Sequence, residues 1–153
     1  MHTISLEPIG WVVSEVKSSR DDHWGPIIAE VRLDEARFAP TALEGLEDFS
    51  HVEVLFVFDQ VTAVENDQRH PRNNPRWPKR GIFAQRGRNR PNRIGATICE
   101  IAEISGLTVR VRGLDAFHGS PVLDIKPVMA EFLPDRRSIR QPGWSRELME
   151  TYF

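Results

Sequence analysis

Seven short apolar runs rich in β-branched residues recur along the chain, at residues 9–13, 27–33, 52–58, 81–85, 94–104, 107–114 and 122–125. Several alternate in polarity, as in Ala29-Glu-Val-Arg-Leu33, and a period of two marks a strand with one buried face. Only residues 40–49 and 143–153 read as helices. Thr41, with Glu44 three residues on, is placed to cap the first, and Ser145 precedes Arg146-Glu-Leu-Met-Glu-Thr151 in the second. Strands with so few helices to cover them must hide their edges by closing on one another. The expected fold is therefore mainly β, a small closed or nearly closed antiparallel β-barrel with short peripheral helices. Residues 107–114 follow Ser105-Gly106 directly, which predicts a hairpin with the preceding strand.

The 153 residues are 40% hydrophobic and 27% charged, which suits one domain. The division read from the sequence is a barrel over residues 1–137 and a C-terminal tail with a short helix over 138–153. No run of about 18 apolar residues occurs, and residues 1–7 have neither a basic start nor an apolar secretion segment. The expected address is cytoplasmic, with no membrane partner. Cys99 is the only cysteine, and its setting in Ala96-Thr-Ile-Cys-Glu-Ile101 reads as a packed apolar position. The five histidines (His2, His23, His51, His70 and His118) show no ligand spacing, so no metal is expected.

Charge is distributed unevenly. Residues 68–93 hold nine cations (Arg69, Arg72, Arg76, Lys79, Arg80, Arg86, Arg88, Arg90 and Arg93) and no acidic residue, although the net charge of the chain is −2. Guanidinium forks interleaved with Trp77, Phe83, Asn and Pro suit phosphate contact and base stacking. The alternative is a solvated segment whose charges pair with the acidic remainder of the chain. Residues 61–79 lack apolar periodicity, and Pro71, Pro75 and Pro78 exclude a helix or central strand. Such a loop is either a lid or substrate arm beside a site, or disordered.

No dinucleotide, phosphate-loop, zinc-protease or nucleophile-elbow signature is present. Two other segments concentrate polar chemistry. Gly81-Ile-Phe-Ala-Gln-Arg86 leads into Gly87-Arg-Asn-Arg-Pro-Asn-Arg93, whose turn formers gather donors at one strand end. In Ser120-Pro-Val-Leu-Asp-Ile-Lys-Pro127, a period of two puts Leu123 and Ile125 on one face and Asp124 and Lys126 on the other, toward a cleft or water.

These two segments resemble the Gly-Val-Phe-Ala-Thr-Arg-Ser…Arg-Pro-Asn-Pro-Ile-Gly and Asp-Gly-Thr-Pro-Val-Leu-Asp-Ile-Lys-Pro-Tyr patterns of the TsaA-like (TrmO) family. Ile9-Gly10 and the run Leu46-Glu-Asp-Phe-Ser-His-Val-Glu-Val-Leu-Phe-Val-Phe58 are similar to that family's opening and middle strands. The resemblance implies an S-adenosyl-L-methionine-dependent methyltransferase on a small β-barrel. It implies a homodimer that methylates N6 of threonylcarbamoyladenosine beside the tRNA anticodon. Cofactor contacts carried over by position fall at Asp22, His23 and Trp24, at Asp59 and Gln60, at Arg86, and at His118, Gly119, Ser120 and Pro121. Arg93, His118, Asp59 and Val128 depart from the pattern, standing where the family has Pro, Asp, His and Tyr.

A sulfonium cofactor would be repelled by nine such cations, whereas one arginine on its carboxylate would help. Arg86 is accordingly expected on the cofactor side, and Arg88, Arg90, Asn92 and Arg93 on the tRNA. Asp124 is the expected proton acceptor or orienter, with Lys126 as its partner. The competing readings are a non-enzymatic RNA-binding barrel and a methyltransferase of this fold with a different RNA or small-molecule substrate.

Overall fold

The computed structural model describes residues 2–153. Among these residues the strands are β1 (Gly10–Val13), β2 (Ile28–Leu33), β3 (His51–Val57), β4 (Gln68–Arg69), β5 (Arg80–Gly81), β6 (Ile94–Ser105), β7 (Thr108–Arg112) and β8 (Pro121–Pro127), followed by the helix α1 (Gly143–Met149). Six of them form a closed antiparallel barrel in the order β1-β2-β7-β6-β3-β8, and β4 and β5 pair as a separate ribbon. The barrel and the β6–β7 hairpin are those expected from the sequence.

The interior is built from the inward half of each alternating run. Val12 faces Val31 across one pair of strands and Val31 faces Val109 across the next, so the register stacks β-branched side chains in layers. Val12, Val31, Val52, Val54, Phe56, Val109, Val111, Leu114 and Val122 are each at most 1% exposed. Each such side chain contributes roughly 1.5–3 kcal/mol of burial. Cys99 joins this core, where burial, followed by the nearby charge of Asp115, pushes its thiol up to about 12. Gly10 and Gly95 leave no room for a side chain. A Cβ on Gly10 would lie 2.0 Å from the Arg32 carbonyl oxygen, and one on Gly95 would lie 2.4 Å from Cζ of Phe56.

Four local expectations are corrected. Residues 81–85 are not a strand: only Arg80 and Gly81 pair, with Arg69 and Gln68, and Ile82–Ala84 is a 3-10 turn. The reason is that Ile82 is buried while the Gln85 amide donates to the carbonyls of Arg69 (3.0 Å) and Arg80 (2.7 Å), one on each strand of the ribbon. Residues 40–49 form two 3-10 turns, Pro40–Leu43 and Leu46–Asp48, because Gly45 between them takes φ 85°. Thr41 lies inside the first and caps nothing. The last helix stops at Met149; Pro142 takes the cap position, with Ser145 Oγ donating to the Pro142 carbonyl oxygen at 2.8 Å.

The fourth correction concerns β8. Phe56 pairs with Val122 and Leu55 with Asp124, so one extra residue bulges out of β8. Val122 and Ile125, three apart, therefore both reach the core, and Leu123 does not share the face of Ile125.

Gly10→Ala should destabilise the barrel by about 1–3 kcal/mol, because the clash is with backbone that cannot turn away. Gly81→Ala, whose Cβ would meet nothing within 4 Å, should stay within about 0.5 kcal/mol of the parent. Urea melts of both variants check the contrast.

Candidate functional site

The segments leaving β3, β7 and the β4–β5 ribbon converge at one end of the barrel around a cavity of about 480 Å³. The chain leaving β3 supplies Phe58, Asp59 and Gln60; the chain leaving β7 supplies Asp115, Phe117 and Ser120; the basic segment supplies Arg69, Asn73, Arg88 and Asn89. Gln60 is pinned by donating to the Lys17 carbonyl oxygen at 2.8 Å, and Ser120 Oγ donates to Asp59 Oδ1 at 3.2 Å. The Asp115 carboxylate accepts the Thr97 hydroxyl on one oxygen and the Tyr152 hydroxyl on the other. Aromatic faces, fixed carboxylates and arginines on one wall suit a ligand that is part planar and part zwitterionic.

A second, smaller core backs this wall. Trp24 is 2% exposed and packs with Val16 and Ile27, against Phe117 and Tyr152. Its ring lies 5.9 Å from that of Phe117. The end of the chain is bound to this cluster: His23 N donates to the Thr151 carbonyl oxygen and Trp24 N to the Tyr152 carbonyl oxygen, both at 2.8 Å. Residues 151–152 are thus held against the segment between β1 and β2. The long loop is tethered to the same region, since Trp77 Nε1 donates to Glu147 Oε2 at 2.9 Å. Arg72 grips both oxygens of Asp22, at 2.9 and 3.0 Å, and stands 5.7 Å above the Tyr152 ring. That guanidinium holds the Asp22 carboxyl below its ordinary range.

Of the residues expected at the cofactor, Asp59, Gln60 and Ser120 line the cavity. Asp22, His23 and Trp24 do not line it, and of the three Trp24 packs against the lining residue Phe117. Arg86 does not line it; one of its Nη atoms donates to the Ala96 carbonyl oxygen at 2.5 Å. His118 is exposed and accepts from Ser14 N at 3.4 Å, while Gly119, at φ 86°, and Pro121 turn the chain into β8. Among the residues expected at tRNA, Arg88 lines the cavity, Asn92 is exposed, and Arg90 and Arg93 donate to the carbonyls of Gln85 (3.0 Å) and Val61 (3.1 Å). Asp124 and Lys126 lie outside the cavity and hold each other at 2.6 Å, half exposed.

The sequence reading missed Asp115 and Phe117. The available signal was an acidic residue set between two apolar ones, Leu114-Asp-Ala116, at the end of a strand.

Arg69 pairs with Glu65 and Arg72 with Asp22, but among the described residues no carboxylate lies within 4.0 Å of Arg76, Lys79, Arg80, Arg86, Arg88, Arg90 or Arg93. The basic segment is not neutralised by the acidic remainder of the chain. Among the described residues no His, Cys, Asp and Glu cluster could hold a metal ion, and no helix is long and apolar enough to cross a membrane.

The family model of the tRNA-methyltransferase O N-terminal domain matches residues 21–133. The chain belongs to this family. Within the tRNA-methyltransferase O family, a human protein named tRNA (adenine(37)-N6)-methyltransferase is 42% identical over 93 residues, 60% of this chain and 21% of its own length. A protein of Methanothermobacter thermautotrophicus, named a probable S-adenosyl-L-methionine-binding protein, is 38% identical over 81% of this chain and 89% of its own. The crystal structure of TrmO from Pseudomonas aeruginosa superposes with a TM-score of 0.73 at 29% identity, covering 94% of this chain and 63% of that one. The chain therefore spans about a fifth of the human relative and under two thirds of the solved structure.

Tyr152 is the only tyrosine, and burial, followed by Asp115, raises its phenol well above the usual range. The folded protein should show no tyrosinate absorbance at about pH 11, where a free phenol has largely ionised. The sign follows from linkage: the raised group stabilises the fold below its unfolded value of about 10 and loses that contribution as pH rises. A spectrophotometric titration followed in parallel by circular dichroism should show ionisation only together with unfolding.

Proposed function

We propose that this chain is an S-adenosylmethionine-dependent methyltransferase acting on N6 of an adenosine in tRNA, with threonylcarbamoyladenosine beside the anticodon as the substrate. One observation carries the reading: a cavity walled by carboxylates and aromatic rings is lined by Arg88 of a basic segment in which, among the described residues, only Arg69 and Arg72 of the nine cations have a carboxylate within 4.0 Å. The names borne by its relatives agree with it. When bound, the cofactor supplies an electrophilic methyl group on a positively charged sulfur.

The donor set fits that cofactor. Phe58 and Phe117 offer apolar faces to a purine, the acidic wall suits the cationic end, and Arg88 suits the carboxylate. Asp59 is held toward the cavity by Ser120. The remaining free cations, Arg76, Lys79 and Arg80 among them, give the tRNA backbone its counter-charge. The chain's task is mainly alignment and exclusion of water, because a single in-line displacement needs the two reacting atoms held together more than it needs a strong base. Arg90, which holds the Gln85 carbonyl of its own loop, and Arg93, which holds the Val61 carbonyl of the segment leaving β3, shape this rim. The Asp124–Lys126 pair, on the outer face of β8, then contributes no proton transfer. A homodimer belongs to the same reading, supported by apolar side chains left on the surface, Phe83 at 79% and Phe132 at 85% exposed. So does a cytoplasmic address, where tRNA is handled.

Titration calorimetry tests the cofactor assignment. Arg88→Ala should weaken S-adenosylmethionine roughly ten- to a hundredfold, the worth of a charged hydrogen bond, and Arg86→Ala much less. Equal effects would remove the distinction. Single-turnover assays on tRNA bearing the threonylcarbamoyl group, against unmodified tRNA, test the substrate; Asp124→Asn should run at full speed. The combined Arg76→Ala, Lys79→Ala and Arg80→Ala variant should bind tRNA with a shallower salt dependence, by up to about 0.9 for each duplex phosphate no longer neutralised, or about 0.7 for each single-strand phosphate. An unchanged slope would remove those residues from the interface.

A further inference from the structure

Asp115 is an unusual carboxylate. It lines the cavity, yet each oxygen meets one neutral hydroxyl, Thr97 on the barrel and Tyr152 near the end of the chain, and among the described residues no cation lies within 4.0 Å. Two donors fix the orientation of the group and leave its charge intact, and each oxygen keeps acceptor capacity. The carboxylate is part-buried at the cavity with hydroxyl partners only, an arrangement that a bound cation would complete.

Tyr152 is itself held on every side. Its carbonyl accepts from Trp24 N at 2.8 Å, its ring packs on the Trp24 and Phe117 cluster, and the Arg72 guanidinium covers it at 5.7 Å. The hydroxyl has little freedom to point elsewhere.

We propose that Tyr152 is a positioning residue that sets Asp115 against the cationic end of the bound cofactor, making the C-terminal segment a working part of the site. This rests on the methyltransferase reading above. Asp115 supplies the contact and Tyr152 acts through it, with Thr97 as the opposing support. The ligand chemistry required is a sulfonium or ammonium cation attached to an adenosine.

The experiment is calorimetry of the full chain with three probes: S-adenosylmethionine, which carries both cations; S-adenosylhomocysteine, which keeps only the ammonium; and methylthioadenosine, which has neither. Asp115→Asn should weaken S-adenosylmethionine about ten- to a hundredfold and leave methylthioadenosine unchanged, with the response of S-adenosylhomocysteine telling which cation is met. Tyr152→Phe should give the same pattern at about three- to tenfold, and should add nothing in the Asp115→Asn background, because its effect passes through that carboxylate. Thr97→Val supplies the same test from the other side should Tyr152→Phe melt too early. A weakening shared equally by all three probes, or a Tyr152→Phe effect that persists without Asp115, would overturn the proposal. Parent protein that binds none of the three would instead sink the methyltransferase reading, and this inference with it.

Discussion

Closure of the barrel between β1 and β8 is the constraint on which the rest depends. That seam is short: only Gly10 with Val122 and Trp11 with Pro121 pair across it, where β3 and β6 share seven pairs. It is reinforced from the loop side, as Val12 N donates to the Ser120 carbonyl oxygen at 3.0 Å and Gly119 N to that of Val12 at 2.8 Å. The hydrogen bonds that close the barrel are thus the ones that place Ser120 beside Asp59. Ring closure and cavity geometry are one arrangement, and the missing side chain at Gly10 permits both.

The cavity end is then assembled by interlocking rather than by one continuous element. The basic loop is drawn onto the barrel through Arg72 and Asp22, the C-terminal helix is drawn onto the loop through Glu147 and Trp77, and the end of the chain pairs with residues 23–24. Among the described residues only two of the nine cations in the basic segment are used in ion pairs. Some of the others are used as donors to carbonyls, as with Arg90 and Arg93, which gives the loop its shape without cancelling its charge. A fold can in this way carry a concentrated positive field on a chain whose net charge is −2.

The barrel was legible because alternation is a local property. Ala29-Glu-Val-Arg-Leu33 buries Ala29, Val31 and Leu33 as its period requires. Residues 81–85 and the face of Leu123 were misread because their conformations are set by partners remote in sequence: Gln85 reaches the carbonyls of Arg69 and Arg80, and β8 bulges to match β3. The site divides along the same line. Asp59, Gln60 and Ser120, which line the cavity, sit next to strand ends and carry a motif resemblance, whereas Asp115 lines it without one and is tied to Tyr152 by a hydrogen bond spanning 37 residues. Arg88 and Arg86 show the limit within a single turn, since spacing cannot tell which of two nearby guanidiniums faces inward.

The pairing of His23 and Trp24 with Thr151 and Tyr152 joins positions separated by most of the chain. Contacts of such high order form late, because the entropy of closing the largest loop must be met before the contact returns anything. Asp115 gains its Tyr152 donor only once these distant segments have met. Any ligand that needs this wall will therefore stabilise only the state in which the two segments are joined.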